Sequence, residues 1–199
     1  MTDREAMAHA FEESVQLHER VAAECGNAIL EAAAAVREAL LSGHKVLVFG
    51  NGGSAADAQH FATELVGRFG PHVERGALPV LALSADMAVV TAIANDFGYA
   101  AIFARQIEAF GAAGDVAFAL TTSGGSANVN EGLRWALDRS LRTVALTGGD
   151  GGESGRLADV HVHVPHASSP RVQEVHRTIL HIICDLVERH PQIVRTQAV

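Results

Sequence analysis

Residues 45–65 have the sequence KVLVFGNGGSAADAQHFATEL, and this stretch decides the fold. Its first five residues are an apolar, partly β-branched run that predicts a buried strand. After the glycines, Ala58, Ala62 and Leu65 recur at helical spacing, which predicts a helix with Ser54 as its N-cap. Glycines let the backbone approach a ligand closely, and free N–H groups at a helix start favour an anion such as phosphate. The stretch therefore predicts an α/β fold with a candidate anion site, although many glycine turns of this kind bind nothing.

The helix of this stretch carries three polar side chains on one face. Asp57, His60 and Glu64 stand at positions i, i+3 and i+7, so they lie on the same side of the helix. A histidine and a carboxylate one turn apart suit a divalent metal ion, or a general base with its partner. A solvated polar face has the same spacing, and the spacing alone favours that simpler interpretation.

Composition and charge narrow the class of protein. The 199 residues carry a formal net charge of −8, and 48% of them are hydrophobic, which is typical of a globular protein. Lysine and arginine form no cluster, so we expect neither nucleic acid nor a membrane as a main partner. Cys25 and Cys184 form no CxxC motif and are expected to be reduced thiols of a cytoplasmic protein. Residues 1–13 lack the apolar segment of a signal peptide, and no apolar run is long enough to span a bilayer.

Two helices are predicted before the first strand. Residues 3–24 place Met7 and Phe11 on one face, and the Gly-Asn pair at 26–27 is expected to end this first helix. A second apolar stripe then continues to about residue 40. An apolar face at this place suits packing either on the core or on another subunit.

Four further apolar runs predict strands, and helical segments separate them. The runs cover residues 79–83, 115–120, 142–146 and 159–164. Strands that alternate with helices predict an α/β three-layer sandwich of the flavodoxin-like type, with a five-stranded parallel sheet between two layers of helices. We expect a single domain in residues 1–199, with the N-terminal helices in 1–42, the α/β core in about 40–190 and a tail in 191–199.

A second loop rich in hydroxyl groups and glycine follows the third predicted strand. Residues 121–126 are TTSGGS, and a helix follows directly. The carboxyl ends of parallel strands meet at one edge of the sheet, so this loop and the Gly50–Ser54 turn should converge. Together they predict a phosphorylated small molecule held by hydroxyls and backbone amides. Neither loop has the GxxxxGK[ST] of a P-loop or the GxGxxG of a dinucleotide site.

The last helix, predicted at residues 169–190, has an apolar stripe that includes Ile182 and Leu186. His181 is expected opposite this stripe, where it is either exposed to solvent or turned towards another subunit.

Several motifs together resemble one known family. They are NGGSAADAQHF at 51–61, ANDFG at 94–98, TSG at 122–124, LTG at 146–148 and VQEVH at 172–176. Over about residues 5–190 the chain resembles the phosphoheptose isomerases of the sugar isomerase (SIS) domain family. The resemblance implies conversion of sedoheptulose 7-phosphate to D-glycero-D-manno-heptose 7-phosphate, which feeds nucleotide-activated heptose for lipopolysaccharide or other surface glycans. It also implies a cytoplasmic homotetramer with active sites at subunit interfaces and one zinc ion (Zn2+) per subunit.

The resemblance assigns roles by position. The residues that match the family's zinc ligands are His60, Glu64, Gln173 and His181. Glu64 also matches the general base and His181 the general acid. The residues that match positions around the substrate are Asn51, Gly52, Gly53, Ser54, Glu64, Arg68, Asn95, Asp96, Thr121, Thr122, Ser123, Ser126 and Gln173. Pro170 departs from the family, since many members carry Asp there, and this departure leaves the fine substrate preference open.

The distance along the last helix leads to one further prediction. Gln173 and His181 lie eight residues apart, so a straight helix separates their Cα atoms by roughly 12 Å. That distance is near the limit for two side chains that bind one ion. We therefore predict that His181 completes a site whose His60 and Glu64 belong to another chain.

Two functions other than catalysis remain open for such a domain. The same domain occurs in non-catalytic scaffolds that bind the bacterial replication initiator protein and have their catalytic positions replaced. The presence of both Glu64 and His181 favours an enzyme over such a scaffold. A sugar-phosphate-sensing regulator is a third alternative, but the sequence contains no DNA-binding domain. A different ketose phosphate also remains open as the substrate.

Overall fold

The structure is a computed structural model that describes residues 1–71 and 73–195. Its helices are α1 (Asp3–Leu41), α2 (Gly53–Val66), α3 (Met87–Phe97), α4 (Ala104–Phe110), α5 (Ala127–Asp138), α6 (Gly152–Leu157), α7 (Ser169–Glu188) and α8 (Pro191–Arg195), with a 3₁₀ turn at Tyr99–Ala101. Its strands are β1 (Val46–Gly50), β2 (Val80–Ala82), β3 (Val116–Thr121), β4 (Arg142–Thr147) and β5 (Val160–His163). Helix α8 lies in the predicted tail, whose last residues, 196–199, lie outside the described part of the chain.

The strands form one parallel sheet in the order β2-β1-β3-β4-β5, so β2 and β5 lie at its edges. Side chains of β1 alternate between the two faces of this sheet. Val46 and Val48 belong to a core cluster with α1, α2 and α7, whereas Leu47 and Phe49 belong to a second cluster with α4 and α5. A sheet with an apolar core on each face is a three-layer α/β sandwich, and this strand order is the flavodoxin-like one. The predicted fold class is confirmed.

The two predicted N-terminal helices are wrong, because residues 3–41 form one helix of 39 residues. A glycine inside a helix costs about 1 kcal/mol relative to alanine, which is too little to break a helix that is held on both sides. Val21 before Gly26 and Ile29 after it are both buried against the core. The helix is also held at its start by Thr2 and Glu5, which form a reciprocal capping box.

The turn from β1 into α2 is tighter than the sequence predicts. Helix α2 begins at Gly53 with Gly52 as its N-cap, so the prediction of Ser54 as N-cap is wrong. Gly52 has a φ of 55°, which a residue with a side chain adopts only at a cost. A Cβ on Gly50 would lie 2.6 Å from the backbone oxygen of Leu120, so β1 and β3 approach closely at the carboxyl edge. Ser54 is therefore inside the first turn and buried.

Helix α3 lies on the surface and contributes no buried residue, although its sequence is mostly apolar. Met87 at its start and Phe97 at its end are 62% and 57% exposed. The helix is capped by Asp86, whose side chain accepts from the backbone N–H groups of Ala88 and Val89, and it includes Asn95 and Asp96 in its last turn. In the part of the chain that the structure describes, no helix is long and apolar enough to cross a membrane.

Candidate functional site

A histidine pair and a carboxylate form one cluster between α2 and α7. The Nε2 atoms of His60 and His181 lie 2.8 Å apart, and His60 Nε2 lies 3.4 Å from Glu64 Oε1. One ligand atom from each of the three side chains lies within 4.8 Å of the others, and all three side chains are partly buried. The cluster is thus accessible to a small ligand but shielded from bulk water on one side.

This cluster is built within one chain, so two predictions about His181 are wrong. His181 neither points to solvent nor completes a site with His60 and Glu64 of another subunit. The apolar stripe of α7 runs through Ile183 and Val187, whereas Ile182, assigned to the stripe, is 41% exposed. The true stripe is rotated relative to the predicted one, and this rotation turns His181 towards α2.

Helices α2 and α7 contact each other through a ladder of polar pairs. Gln173 lies against Gly53, where a Cβ would come within 2.6 Å of its Nε2 atom. One turn further, Arg177 donates from Nε to the buried Asp57 carboxylate at 3.0 Å. The contact between His60 and His181 is the next pair along the two helices. Gln173 therefore shares a helix face with His181 and reaches the glycine turn two turns before it.

The two loops predicted to converge do so around a small cavity of about 70 Å³. It is lined by Asn51, Ser54, Leu120, Thr121, Thr122, Ser123, Ser126 and Gln173. Hydroxyl and amide groups make up most of this lining, and no lysine or arginine is part of it. Sites for small molecules commonly enclose about 300–1,000 Å³. The cavity suits the phosphate end of a ligand and leaves the rest of such a ligand outside it.

The loop at residues 121–126 is held by a close contact with the loop before α6. Gly124 has a φ of 65°, and a Cβ there would overlap the carbonyl oxygen of Gly151. The backbone N–H of Gly124 donates to Thr121 Oγ1 at 3.2 Å, and Ser154 N donates to the carbonyl oxygen of Gly124 at 2.9 Å. The loop is therefore shaped before any ligand arrives.

Several predicted substrate residues lie outside this cavity lining: Gly52, Gly53, Glu64, Arg68, Asn95 and Asp96. Arg68 is exposed in the loop after α2, and Asn95 and Asp96 are exposed at the end of α3. Asn95 Nδ2 donates to Asp96 Oδ1 at 2.7 Å, so these two side chains contact each other. Gly52 and Gly53 form the turn that leads into α2, and Glu64 belongs to the cluster with His60 and His181.

The structure adds polar neighbours of Asn51 and Thr122 that the sequence did not single out. Asn51 and Asn128 form two reciprocal amide hydrogen bonds, both at 2.8 Å, and Tyr99 Oη donates to Asn51 Oδ1 at 3.0 Å. Ser169, the first residue of α7, places its Oγ 3.0 Å from Thr122 Oγ1. Each of these is a single polar residue at the start of an element, a pattern that also occurs without any site.

Burial shifts the pKa of groups close to this edge of the sheet. His176 on α7 donates from Nε2 to the carbonyl oxygen of Thr147 at 3.2 Å, and its Nδ1 is buried without a partner. Complete burial lowers the pKa of His176 to about 4. The pKa of the Cys184 thiol is raised, chiefly by burial and then by the carboxylates of Glu64 and Glu188. Cys184 is accordingly a protonated core residue, and both cysteines are free thiols, as predicted.

The sequence of this chain is similar to one domain family and to several members of it. The family model described as SIS domain matches residues 10–148. The phosphoheptose isomerase of Geobacter sulfurreducens is 49% identical over 174 residues, which cover 87% of this chain and 91% of the relative. The phosphoheptose isomerase of Geobacter sp. (strain M21) is 53% identical over 166 residues, with 83% and 85% coverage.

Solved structures agree with these relatives. A phosphoheptose isomerase from Francisella tularensis has a TM-score of 0.91 at 37% identity, and covers 96% of this chain and 100% of its own. The phosphoheptose isomerase from Neisseria gonorrhoeae has a TM-score of 0.88 at 39% identity, with 94% and 98% coverage. The Vibrio vulnificus NanR protein complexed with ManNAc-6P has a TM-score of 0.67 at 16% identity, with 94% and 64% coverage, and shares the fold alone.

Proposed function

The chain belongs to the SIS domain family and, within it, to the phosphoheptose isomerases, and from this premise we propose that its site converts sedoheptulose 7-phosphate to D-glycero-D-manno-heptose 7-phosphate. The observation that carries the proposal is the cluster of Glu64, His60 and His181, held between the two helices whose N-terminal halves line a hydroxyl-rich cavity. This cluster pairs a carboxylate with two imidazoles, and the same two helices reach the cavity through Ser54 of α2 and Gln173 of α7.

The reaction needs a base and an acid, and the cluster offers both. Exchange of a ketose for an aldose moves one carbon-bound proton to the neighbouring carbon and shuttles protons between the two oxygens. We assign the carbon-bound proton to the Glu64 carboxylate and the oxygen-bound protons to His181. The two side chains share the contact region with His60, so one bound substrate reaches both.

The phosphate end of the substrate is assigned to the hydroxyl-lined cavity. Thr121, Thr122, Ser123 and Ser126 supply hydroxyls, and the loop backbone supplies N–H groups. Hydrogen bonds of this kind hold an anion without a paired cation. Asn51, held by Asn128 and Tyr99, is assigned to orienting the sugar, and we propose Gly53, Ser54, Arg68, Asn95, Asp96 and Gln173 as further substrate contacts.

The donor set of the cluster fits a zinc ion. Two imidazole nitrogens and a carboxylate oxygen are the nitrogen and oxygen donors that zinc prefers in catalytic sites. We propose His60, Glu64 and His181 as ligands, with Gln173 as a fourth, and one ion per subunit. When bound, such an ion polarises the substrate carbonyl and stabilises negative charge on its oxygen. Because a cation lowers the basicity of a carboxylate, Glu64 should keep one oxygen free for the proton transfer.

Assembly into a homotetramer with sites at subunit interfaces is also proposed. The cavity encloses only about 70 Å³, so another surface has to enclose the sugar. Exposed apolar side chains are available for such a contact: Met7 and Phe11 on α1 are 57% and 69% exposed, and no residue of α3 is buried. Large exposed apolar patches mark protein interfaces. Analytical ultracentrifugation tests this directly, and a monomer at micromolar concentration would contradict it.

A cytoplasmic location and a role in supplying heptose for surface glycans complete the proposal. The free thiols Cys25 and Cys184 are in keeping with a reducing compartment. The scaffold alternative is not favoured, because the residues that such a scaffold lacks, Glu64 and His181, are both present and in contact with the same His60.

The experiment is turnover of sedoheptulose 7-phosphate followed by NMR, which distinguishes the aldose product from the ketose. We expect conversion by the wild type, and a loss of about 10²-fold or more in Glu64→Gln, since a general base contributes that much. Thr63→Ala, at the exposed neighbouring position of α2, is the matched control and should retain activity. A Glu64→Gln variant with more than a tenth of the wild-type rate would refute the role of Glu64. If the wild type does not convert sedoheptulose 7-phosphate, the proposed substrate is wrong.

A further inference from the structure

A buried ion pair lies at the ends of the two helices that carry the cluster. The side chains of Arg75 and Glu188 are 0% and 3% exposed. Arg75 donates to Glu188 Oε1 from Nε at 2.8 Å and from NH2 at 2.7 Å. Burial of a charged pair does not by itself stabilise a protein, because desolvation offsets the attraction between the charges. The position of this pair therefore calls for another explanation.

The guanidinium of Arg75 takes the place of a C-cap for α2. It donates from NH1 to the carbonyl oxygens of Leu65 at 2.8 Å and Gly76 at 2.7 Å, and from NH2 to that of Glu64 at 2.9 Å. Together with the two bonds to Glu188, these contacts use all five N–H groups of the side chain. The residue after α2, Gly67, has a φ of −79° and does not form the left-handed cap that usually satisfies such carbonyls. A cation at a helix C-terminus also interacts favourably with the negative end of the helix dipole.

Glu188 binds the chain that leaves α2. Its Oε1 accepts from Phe69 N and its Oε2 from Gly70 N, both at 2.7 Å. Because Glu188 is the last residue of α7, the same carboxylate fixes the end of α7 to the segment after α2. Arg68 therefore lies between two fixed points: the end of α2, which Arg75 binds, and the backbone of Phe69 and Gly70, which Glu188 binds.

These contacts reach the backbone of the cluster itself. Arg75 bonds to the carbonyl oxygen of Glu64, and Glu188 follows His181 by seven residues, two turns along α7. We propose that Arg75 and Glu188 are positioning residues, which fix the end of α2 against α7 and so set the distance between the Glu64 carboxylate and the His181 imidazole. The catalytic consequence rests on the proposed isomerase function. Misplacement of a reacting group by about 1 Å costs on the order of 10²-fold in rate.

The test replaces both charges together. Arg75→Met alone leaves Glu188 as an unpaired buried charge, and its melting temperature should fall by on the order of 10 °C. The double variant Arg75→Met/Glu188→Met has no buried charge and should melt at a higher temperature than Arg75→Met, although the backbone groups that the pair bound lose their partners. Asp185→Asn/Arg189→Met, which removes an exposed ion pair at the same end of α7, is the matched control.

Three measurements on these variants separate positioning from stability. In the double variant we expect backbone amides of residues 63–66 to exchange hydrogen at least tenfold faster, and kcat to fall at least tenfold while KM stays within about threefold. The control should match the wild type in all three. Arg75→Lys keeps the charge but cannot span the three carbonyls and the carboxylate, so it should fold and show the same loss of kcat.

Two results would overturn the proposal. One is a folded double variant with wild-type kcat and wild-type exchange at residues 63–66. The other, which decides if the double variant fails to fold, is wild-type kcat and exchange in Arg75→Lys. If the wild-type protein itself turns over no sedoheptulose 7-phosphate, the proposed function fails, and hydrogen exchange alone decides whether the pair fixes the end of α2.

Discussion

Acid should destabilise this protein through one buried histidine, and the structure gives the size of the effect. His176 is fully buried, and its Nε2–H donates to the Thr147 carbonyl oxygen, which leaves Nδ1 as the atom that a second proton must occupy. That proton would have no acceptor among the described residues. Burial accordingly lowers the pKa of His176 from 6.5 to about 4.

The direction of the effect follows from proton binding. The unfolded chain binds a proton near pH 6.5, whereas the folded protein binds it only near pH 4, so acid favours the unfolded chain. The contribution of His176 is fully present above pH 6.5 and is lost as the pH falls towards 4. The difference between the two pKa values corresponds to about 3 kcal/mol in all, of which about 2 kcal/mol is lost between pH 7 and pH 5.

The assay is urea unfolding at pH 7 and pH 5, at one protein concentration, for the wild type and His176→Gln. The glutamine keeps a donor for Thr147 but does not titrate, so the wild type should lose about 2 kcal/mol more than the variant over this interval. The difference between the two proteins cancels the other titrating groups. His9→Gln, at an exposed position of α1, is the control and should lose as much as the wild type. Equal losses in the wild type and His176→Gln would refute the reasoning.

Three further outcomes are expected. A chelator should lower turnover and zinc should restore it, and His60→Ala should purify with less than a tenth of the metal found by elemental analysis in the wild type; equal metal content would remove His60 from the ligand set. Glu64→Gln and His181→Gln subunits, dissociated and reassembled together, should give no active centres because each site takes both residues from one chain; recovered activity would contradict the single-chain cluster. Gly124→Ala should raise KM at least tenfold with a smaller change in kcat, because the alanine Cβ would overlap the backbone of Gly151 and distort the loop assigned to phosphate. An unchanged KM would show that this loop does not bind the substrate.

The fold could be predicted from sequence because the central strands β1 and β3 are short, almost wholly apolar runs. β1 and β3 are buried at every position, which is the signature of a strand in the middle of a parallel sheet. Helix boundaries could not be predicted in the same way where local propensity and packing disagree. Gly26 and Asn27 favour an interruption locally, but packing of Val21 and Ile29 on the core keeps α1 continuous.

One contact of the cluster could be predicted from the sequence, and the other could not. His60 and Glu64 are one turn apart on α2, so their contact follows from helical spacing alone. The contact with His181 depends on how α7 is rotated, and the apolar residues Ile182 and Ile183 fit a stripe in either rotation. Only packing against α2 decides between them. Likewise, Arg75 and Glu188 are 113 residues apart, and spacing carries no information about such a pair.

The sheet's two edges are its shortest strands: β2 has three residues, and β5 has four, of which two are histidines. An unpaired strand edge is a template onto which a strand from another molecule can add. Edges this short present few free backbone groups, so even at high protein concentration two molecules can form few hydrogen bonds between their edge strands. Copies that meet must instead recognise each other through helix surfaces, where side-chain shape and not backbone pairing selects the partner. The fold thereby allows specific oligomers to form through helix surfaces and disfavours aggregation through strand pairing.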